Sequence, residues 1–133
     1  MYLVDTNVWL ESILDQQKAG EVKVFFQKVE GKDLALTEFS LYSLAIILCR
    51  LKQEEAFADF LSDTIEDSGI KRIRLDISDL RQALLARNKF NLDFDDAYQY
   101  TAAEKFNLTI ISFDQDFDRT ERGRKTPGQI SEG

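Results

Sequence analysis

Histidine does not occur anywhere in the sequence. Its absence excludes Ser-His-Asp and Cys-His triads, an imidazole general base and the usual zinc ligand sets, so any chemistry falls to carboxylates. Cysteine occurs once, as Cys49 in the apolar run LAIILC, which rules out an internal disulfide and reads as a buried small hydrophobe. Apolar runs stay well short of the ~20 residues that cross a bilayer, and the opening MYLVDTN lacks the basic flank and apolar stretch of a signal peptide. The expectation is a protein with no membrane segment, working in the cytoplasm. Positive charge is scarce too: 17 Lys and Arg stand against 24 Asp and Glu, a net charge of -7. That balance works against general affinity for phosphate backbones. A polyanionic substrate must then be met by a local basic patch or through bound cations.

What is present is the material of a folded core. The chain is 44% hydrophobic with 10 Phe and a single Pro, and its 133 residues suit one domain, 1–133, whose residues 119–133 are open to being a mobile basic tail. Tyr2, Leu3 and Val4 form a short apolar run ended by Asp5, Thr6 and Asn7, residues that favour turns and caps, which predicts a buried strand running into a helix. Trp9, Leu10, Ile13 and Leu14, then Val22, Phe25, Phe26 and Val29, recur at helical spacing, and Gly31 is expected to close the second of these helices. Leu34, Ala35 and Leu36 predict a second strand. Thr37 or Ser40 then caps a helix over about 39–51 that is apolar nearly all round, hence expected to be buried. A stripe from Ala56 to Ile65 predicts another helix, and residues 70–75 an edge strand. Ser78 or Asp79 is the expected cap of a helix through Phe90, and Asp93 with Asp96 resembles a capping box for a helix to about Phe106. The β-branched run 108–112 has the profile of a central strand. Strands separated by helices imply an α/β fold, a three-layer α/β/α sandwich around a mostly parallel sheet of about four or five strands.

In such sheets ligands bind at the carboxyl ends of the strands. Asp5 ends the first strand, Asp114 and Asp116 follow the late strand, and Asp96 sits in the first turn of the helix before it. Four carboxylates distant in sequence can therefore meet at one edge. A cation such as Mg²⁺ or Mn²⁺ takes oxygen ligands and would polarise a phosphodiester and position a water for in-line attack. Each acid also has a plain structural use: Asp5 as a helix cap, Asp93 and Asp96 as partners of helix amides, Asp114 and Asp116 as turn residues.

Three segments resemble the PIN domains, and among them the small VapC-like toxins: LVDTNVWL over residues 3–10, DDAYQYTAAEKFN over 95–107 and LTIISFDQDFD over 108–118. The resemblance implies a PIN-like fold and a metal-dependent endoribonuclease, the toxin of a VapBC-type toxin–antitoxin pair. It makes Asp5, Asp96 and Asp114 the expected metal ligands, adds Asp116 to them as a catalytic acid, and gives Ser112 the task of orienting the first carboxylate. It also admits RNA as substrate, a small antitoxin as partner and a homodimer. One departure is Ser43, which stands where the family usually carries a Glu; Glu38, five residues earlier at the mouth of the helix, is the candidate substitute.

Arg119, Arg122, Arg124 and Lys125 follow the acids closely and are the expected RNA-binding residues, with a solvated tail as the alternative. Lys71, Arg72 and Arg74 are a second basic group without an evident link to the acids. Ser43 favours a rival reading, a degenerate PIN domain that binds RNA or a protein partner without cleavage. A phosphate-accepting receiver domain fits less well, because the first strand ends in one acid rather than a pair and no lysine follows a final strand.

Overall fold

A computed structural model describes residues 1–132. Four short strands, β1 (Tyr2–Val4), β2 (Leu34–Thr37), β3 (Lys71–Ile73) and β4 (Thr109–Ile111), pair in parallel in the order β3-β2-β1-β4. Seven α-helices accompany them among the described residues: α1 (Thr6–Ile13), α2 (Ala19–Lys28), α3 (Glu38–Arg50), α4 (Glu54–Phe60), α5 (Ile77–Phe90), α6 (Phe94–Phe106) and α7 (Pro127–Glu132). Parallel strands need crossover helices, and those helices cover both faces of the sheet.

The pleat divides the core in two. Leu3, Ala35 and Ile110 face α5 and α6, where they join Leu92, Ala97 and Tyr100. Their neighbours Val4, Leu34, Leu36 and Ile111 face the other way and pack with Val8, Trp9, Phe25, Leu44 and Phe60. Register keeps the two sets aligned, since Leu3 pairs with Ile110 and Val4 with Ile111. A one-residue slip would send each set to the wrong layer. The three-layer α/β/α arrangement expected from the sequence is thus the observed one.

Strand order also locates a crevice. The chain steps outward from β1 to β2 to β3, then returns through α5 and α6 to lay β4 on the other side of β1. The order therefore reverses between β1 and β4, and the carboxyl ends of those two strands flank the switch point where such sheets bind ligands.

Several local expectations need correction. β4 is an edge of the sheet rather than its centre, but its outer side is covered: Lys125 N–H donates to Ile110 O at 2.8 Å and Ser112 N–H to Lys125 O at 3.0 Å. A β-branched run can thus be sheltered at Ile110 and Ile111 without occupying a middle position. α3 is not buried all round, because Tyr42, Ile46 and Cys49 share one outward face and are exposed. The Cys49 thiol is consequently not a core group. α2 ends at Lys28 with Val29 as its cap, so Gly31 does not close it; Gly31 is required because a Cβ there would collide with the backbone carbonyl of Ser68. The cap of α5 is Asp76, whose N–H donates to Asp79 Oδ2 at 2.8 Å, instead of Ser78 or Asp79. The helix begun by α4 widens into a π-turn over Leu61–Glu66.

Candidate metal centre

Asp5 stands at the junction of β1 and α1, in extended conformation as the N-cap residue. Its carboxylate is almost fully enclosed. Oδ1 accepts from the Thr6 N–H at 2.8 Å and from Gln99 Nε2 at 2.9 Å, and Oδ2 accepts from Ser112 Oγ at 2.7 Å. Ser112, completely buried at the end of β4, also accepts from the Asp114 N–H at 3.0 Å and from Asn7 Nδ2 at 3.3 Å. Asn7 Oδ1 in turn accepts the Phe113 N–H at 3.3 Å. Short polar side chains thus stitch together the ends of β1 and β4.

Asp114 follows that junction. Its Oδ1 accepts the Asp116 N–H at 2.9 Å and opens a 3-10 turn over Gln115–Arg119, so the turn role foreseen for it is real. Asp96 is the third residue of α6, yet no side-chain cap bond forms at that helix start, and the capping-box expectation fails. The Asp96 carboxyl instead meets the Asp114 carboxyl. A cap residue would face the helix amides and solvent; Asp96 is 6% exposed and faces other acids.

One oxygen each from Asp96, Asp114 and Asp116 lie within 4.8 Å of one another. Asp5 lies outside that tight trio but lines the same cleft of about 200 Å³ as Asp96 and Asp114. Asp116 sits at the rim, its Oδ1 3.1 Å from Arg119 Nη1. Burial raises the Asp5 carboxyl above the usual range, opposed by the hydrogen bonds from Gln99, Ser112 and Thr6. Asp96 is pushed up to about 9 by burial, by its hydrogen bond with Asp114, and by the charges of Asp114, Asp5 and Asp95. The cleft therefore holds more negative charge than its own donors neutralise. The candidate metal ligands, Asp5, Asp96, Asp114 and Asp116, offer carboxylate oxygens, a set that suits a hard divalent cation rather than a soft metal.

The remaining candidates lie elsewhere. Glu38 does not line the cleft, and its carboxylate is 3.7 Å from the Arg72 guanidinium beside β3. Ser43 does line it, so a neutral hydroxyl stands on that wall. The basic segment is fastened down. Arg119 donates to the carbonyls of Phe90 and Asn91, Arg122 to Asn107 Oδ1, and Arg124 to Ser112 O while pairing with Asp118 at 3.2 Å. Together with the Lys125 bridge to Ile111 and the packing of α7 on α2, these contacts make residues 119–132 part of the fold. The guanidinium groups expected to grip RNA are occupied in holding backbone. Asn7, Ser40, Thr37 and Gln99 were not singled out for the site by the sequence reading. The available signal was Gln99, three residues after Asp96 and so on the same helix face.

A doubly wound α/β domain with an acidic crevice at its switch point is the class that this fold and cleft define. The chain matches the PIN domain family over residues 2–123 and belongs to that family. Among solved structures it is similar to a Klebsiella pneumoniae toxin–antitoxin complex (19% identity, TM-score 0.74, covering 96% of this chain and 98% of that one). FitAcB from Neisseria gonorrhoeae is similar at 20% identity and TM-score 0.77, covering 96% and 98%. VapC20 of Mycobacterium tuberculosis, described as a sarcin-ricin loop cleaving toxin, is similar at 17% identity and TM-score 0.75, covering 89% and 93%. At these identities the likeness concerns the fold. Comparison with curated protein sequences finds no match.

Proposed function

We propose that this protein is a metal-dependent endoribonuclease that hydrolyses RNA phosphodiester bonds, using Mg²⁺ or Mn²⁺. The observation that carries the reading is the trio of Asp96, Asp114 and Asp116 oxygens within 4.8 Å at the switch-point crevice, with Asp5 on the same wall. Asp5, Asp96 and Asp114 would hold the cation, and Asp116 would complete the acidic rim. When bound, such a cation supplies charge stabilisation to the phosphodiester and a lowered pKa to an attacking water. The protein's own tasks are then orientation and proton release: Ser112 and Gln99 fix the rotamer of Asp5, and Asp96 gives up the proton it otherwise shares with Asp114.

The same reading makes the chain the cytoplasmic toxin of a toxin–antitoxin pair, with a small antitoxin as partner. Its support is the family together with neighbours described as toxin–antitoxin and toxin proteins. The uncovered apolar stripe of Tyr42, Ile46 and Cys49 on α3 supports a protein contact, either with that partner or in a homodimer. Ser43 on the cleft wall favours a second reading, an RNA- or protein-binding PIN domain without cleavage. Incubating the purified chain with mixed RNA in Mg²⁺ or Mn²⁺, beside Asp96→Asn, separates the two. Cleavage abolished by chelator and by the substitution supports the nuclease; binding without cleavage in either metal supports the rival.

A further inference from the structure

Gln99 is a long amide in the middle of α6, 2% exposed, on the inner wall of the cleft. Burying an amide is costly unless every donor and acceptor finds a partner. Here they do. Oε1 accepts from Thr37 Oγ1 at 2.8 Å; Nε2 donates to Ser40 Oγ at 2.7 Å and to Asp5 Oδ1 at 2.9 Å. Thr37 is the last residue of β2 and caps α3 by accepting the Ser40 N–H at 3.0 Å. Ser40 Oγ accepts from Thr6 Oγ1 at 2.8 Å, which closes the circuit on the first turn of α1. The amide orientation follows from chemistry: an ionised Asp5 can only accept, so the Gln99 atom facing it must be the nitrogen. A leucine would fill the same space but leave the Thr37 hydroxyl without this acceptor and Asp5 Oδ1 with one donor fewer, so the amide holds a buried polar network together rather than merely filling volume.

We propose that Gln99 is a positioning residue, a cross-brace from the end of β2 through α6 to Asp5 that commits Asp5 Oδ1 to the protein and leaves Oδ2 as the single oxygen offered to a cation. The counting is direct. Oδ1 already accepts two hydrogen bonds, from Thr6 and Gln99, and a carboxylate oxygen has two in-plane lone pairs. Oδ2 accepts one, from Ser112, and keeps one lone pair. Asp5 is thereby restricted to one-oxygen ligation with its rotamer held from both sides, by Gln99 on one oxygen and Ser112 on the other. Outer partners of this kind orient ligands and tune affinity without touching the metal.

The proposal rests on the metal-centre reading above, and its test reads metal affinity separately from cleavage. Free Mn²⁺ is measured by electron paramagnetic resonance with the full chain, Gln99→Met, Gln99→Glu and Thr37→Val, alongside kcat and KM on mixed RNA and melting in chelator. Gln99→Met keeps the length of the side chain and removes its donors; Gln99→Glu places a second acceptor against Asp5 and serves if the first variant does not fold. The expected result is Mn²⁺ affinity about 10- to 100-fold weaker in the Gln99 variants, with kcat lowered and the KM for RNA unchanged. Thr37→Val, which cuts the brace at its far end, should move affinity in the same direction by less. Folded Gln99 variants with unaltered Mn²⁺ affinity would overturn the proposal while leaving the nuclease reading intact. A wild-type chain whose Mn²⁺ affinity falls in the Gln99 variants but that cuts no RNA would sustain the brace and remove the nuclease. Failure of the wild type to bind Mn²⁺ would remove both.

Discussion

Two concavities in this molecule are built from the same residue types and behave in opposite ways. The larger, about 440 Å³ between α5 and α6, holds Asp79, Glu104 and Glu121 together with Lys89 and Lys105. Four of its five charged groups are paired, Asp79 lying 2.6 Å from Lys105 and Glu121 2.8 Å from Lys89, which leaves Glu104 as one acid in excess. Those lysines hold both carboxyls below the usual carboxylate range. The smaller cleft gathers acids without a cation, and there the shifts run upward, to about 9 at Asp96. Volume alone would choose the larger pocket as the site. Unbalanced charge chooses the smaller, because a site kept at an electrostatic cost is one that a ligand is expected to relieve.

The sharpest way to break this contrast is to neutralise one acid in each place. Asp96→Asn is expected to reduce RNA cleavage by at least about 100-fold in a discontinuous gel assay, and to raise the melting temperature measured in chelator at neutral pH, because the folded chain no longer has to hold a proton that the unfolded chain releases. Asp79→Asn should leave cleavage unchanged and lower the melting temperature slightly, since its ion pair is exposed and screened. Equal effects of the two substitutions on cleavage would erase the distinction.

The pH dependence of metal-free stability sharpens it further. Asp96 loses its proton near 3.8 when unfolded and near 9 when folded. Between those values the folded state holds a proton that the unfolded state has released, so its contribution is complete below about 3.8 and disappears as pH rises through about 9. Asp79 and Glu121 have depressed folded values, so theirs is present above the unfolded value and lost as pH falls through the folded one. Thermal melts in chelator should therefore show an alkaline decline that Asp96→Asn flattens and an acid decline that Asp79→Asn reduces. A smaller effect is expected from Arg124→Gln, which frees the Ser112 carbonyl and Asp118 at the outer side of β4: a few-fold loss of cleavage, by analogy with outer-shell substitutions.

How much of this was legible beforehand depends on which physical rule had to be read. The strand-end rule placed Asp5 and Asp114 at one edge, and the order of strands and helices was enough for it. Asp96 was found by position but with two roles open, and the choice between cap and cleft needed coordinates, because both put an Asp at the third position of a helix. The polar supports were hidden for a related reason. Gln99 lies on a helix that also carries exposed polar residues, and Thr37 and Ser40 flank a helix start, so periodicity alone assigns them to solvent or to a cap. The arginines after Phe117 look like a nucleic-acid patch in sequence, where nothing reveals that backbone carbonyls of Phe90, Asn91 and Ser112 already occupy them. Cys49 was misjudged because an apolar run of helical length was read as buried on every face, although only Leu41, Leu44 and Leu48 of that helix are buried apolar groups.

Isothermal titration calorimetry of Mg²⁺ into the wild-type chain at pH 7, repeated in two buffers of different ionisation enthalpy, tests the central claim that the acids of the switch-point cleft await a cation. Saturable binding accompanied by release of about one proton is predicted, with the proton release lost in Asp96→Asn. Heat of binding that is absent, or that is the same in both buffers and insensitive to Asp96→Asn, would contradict it.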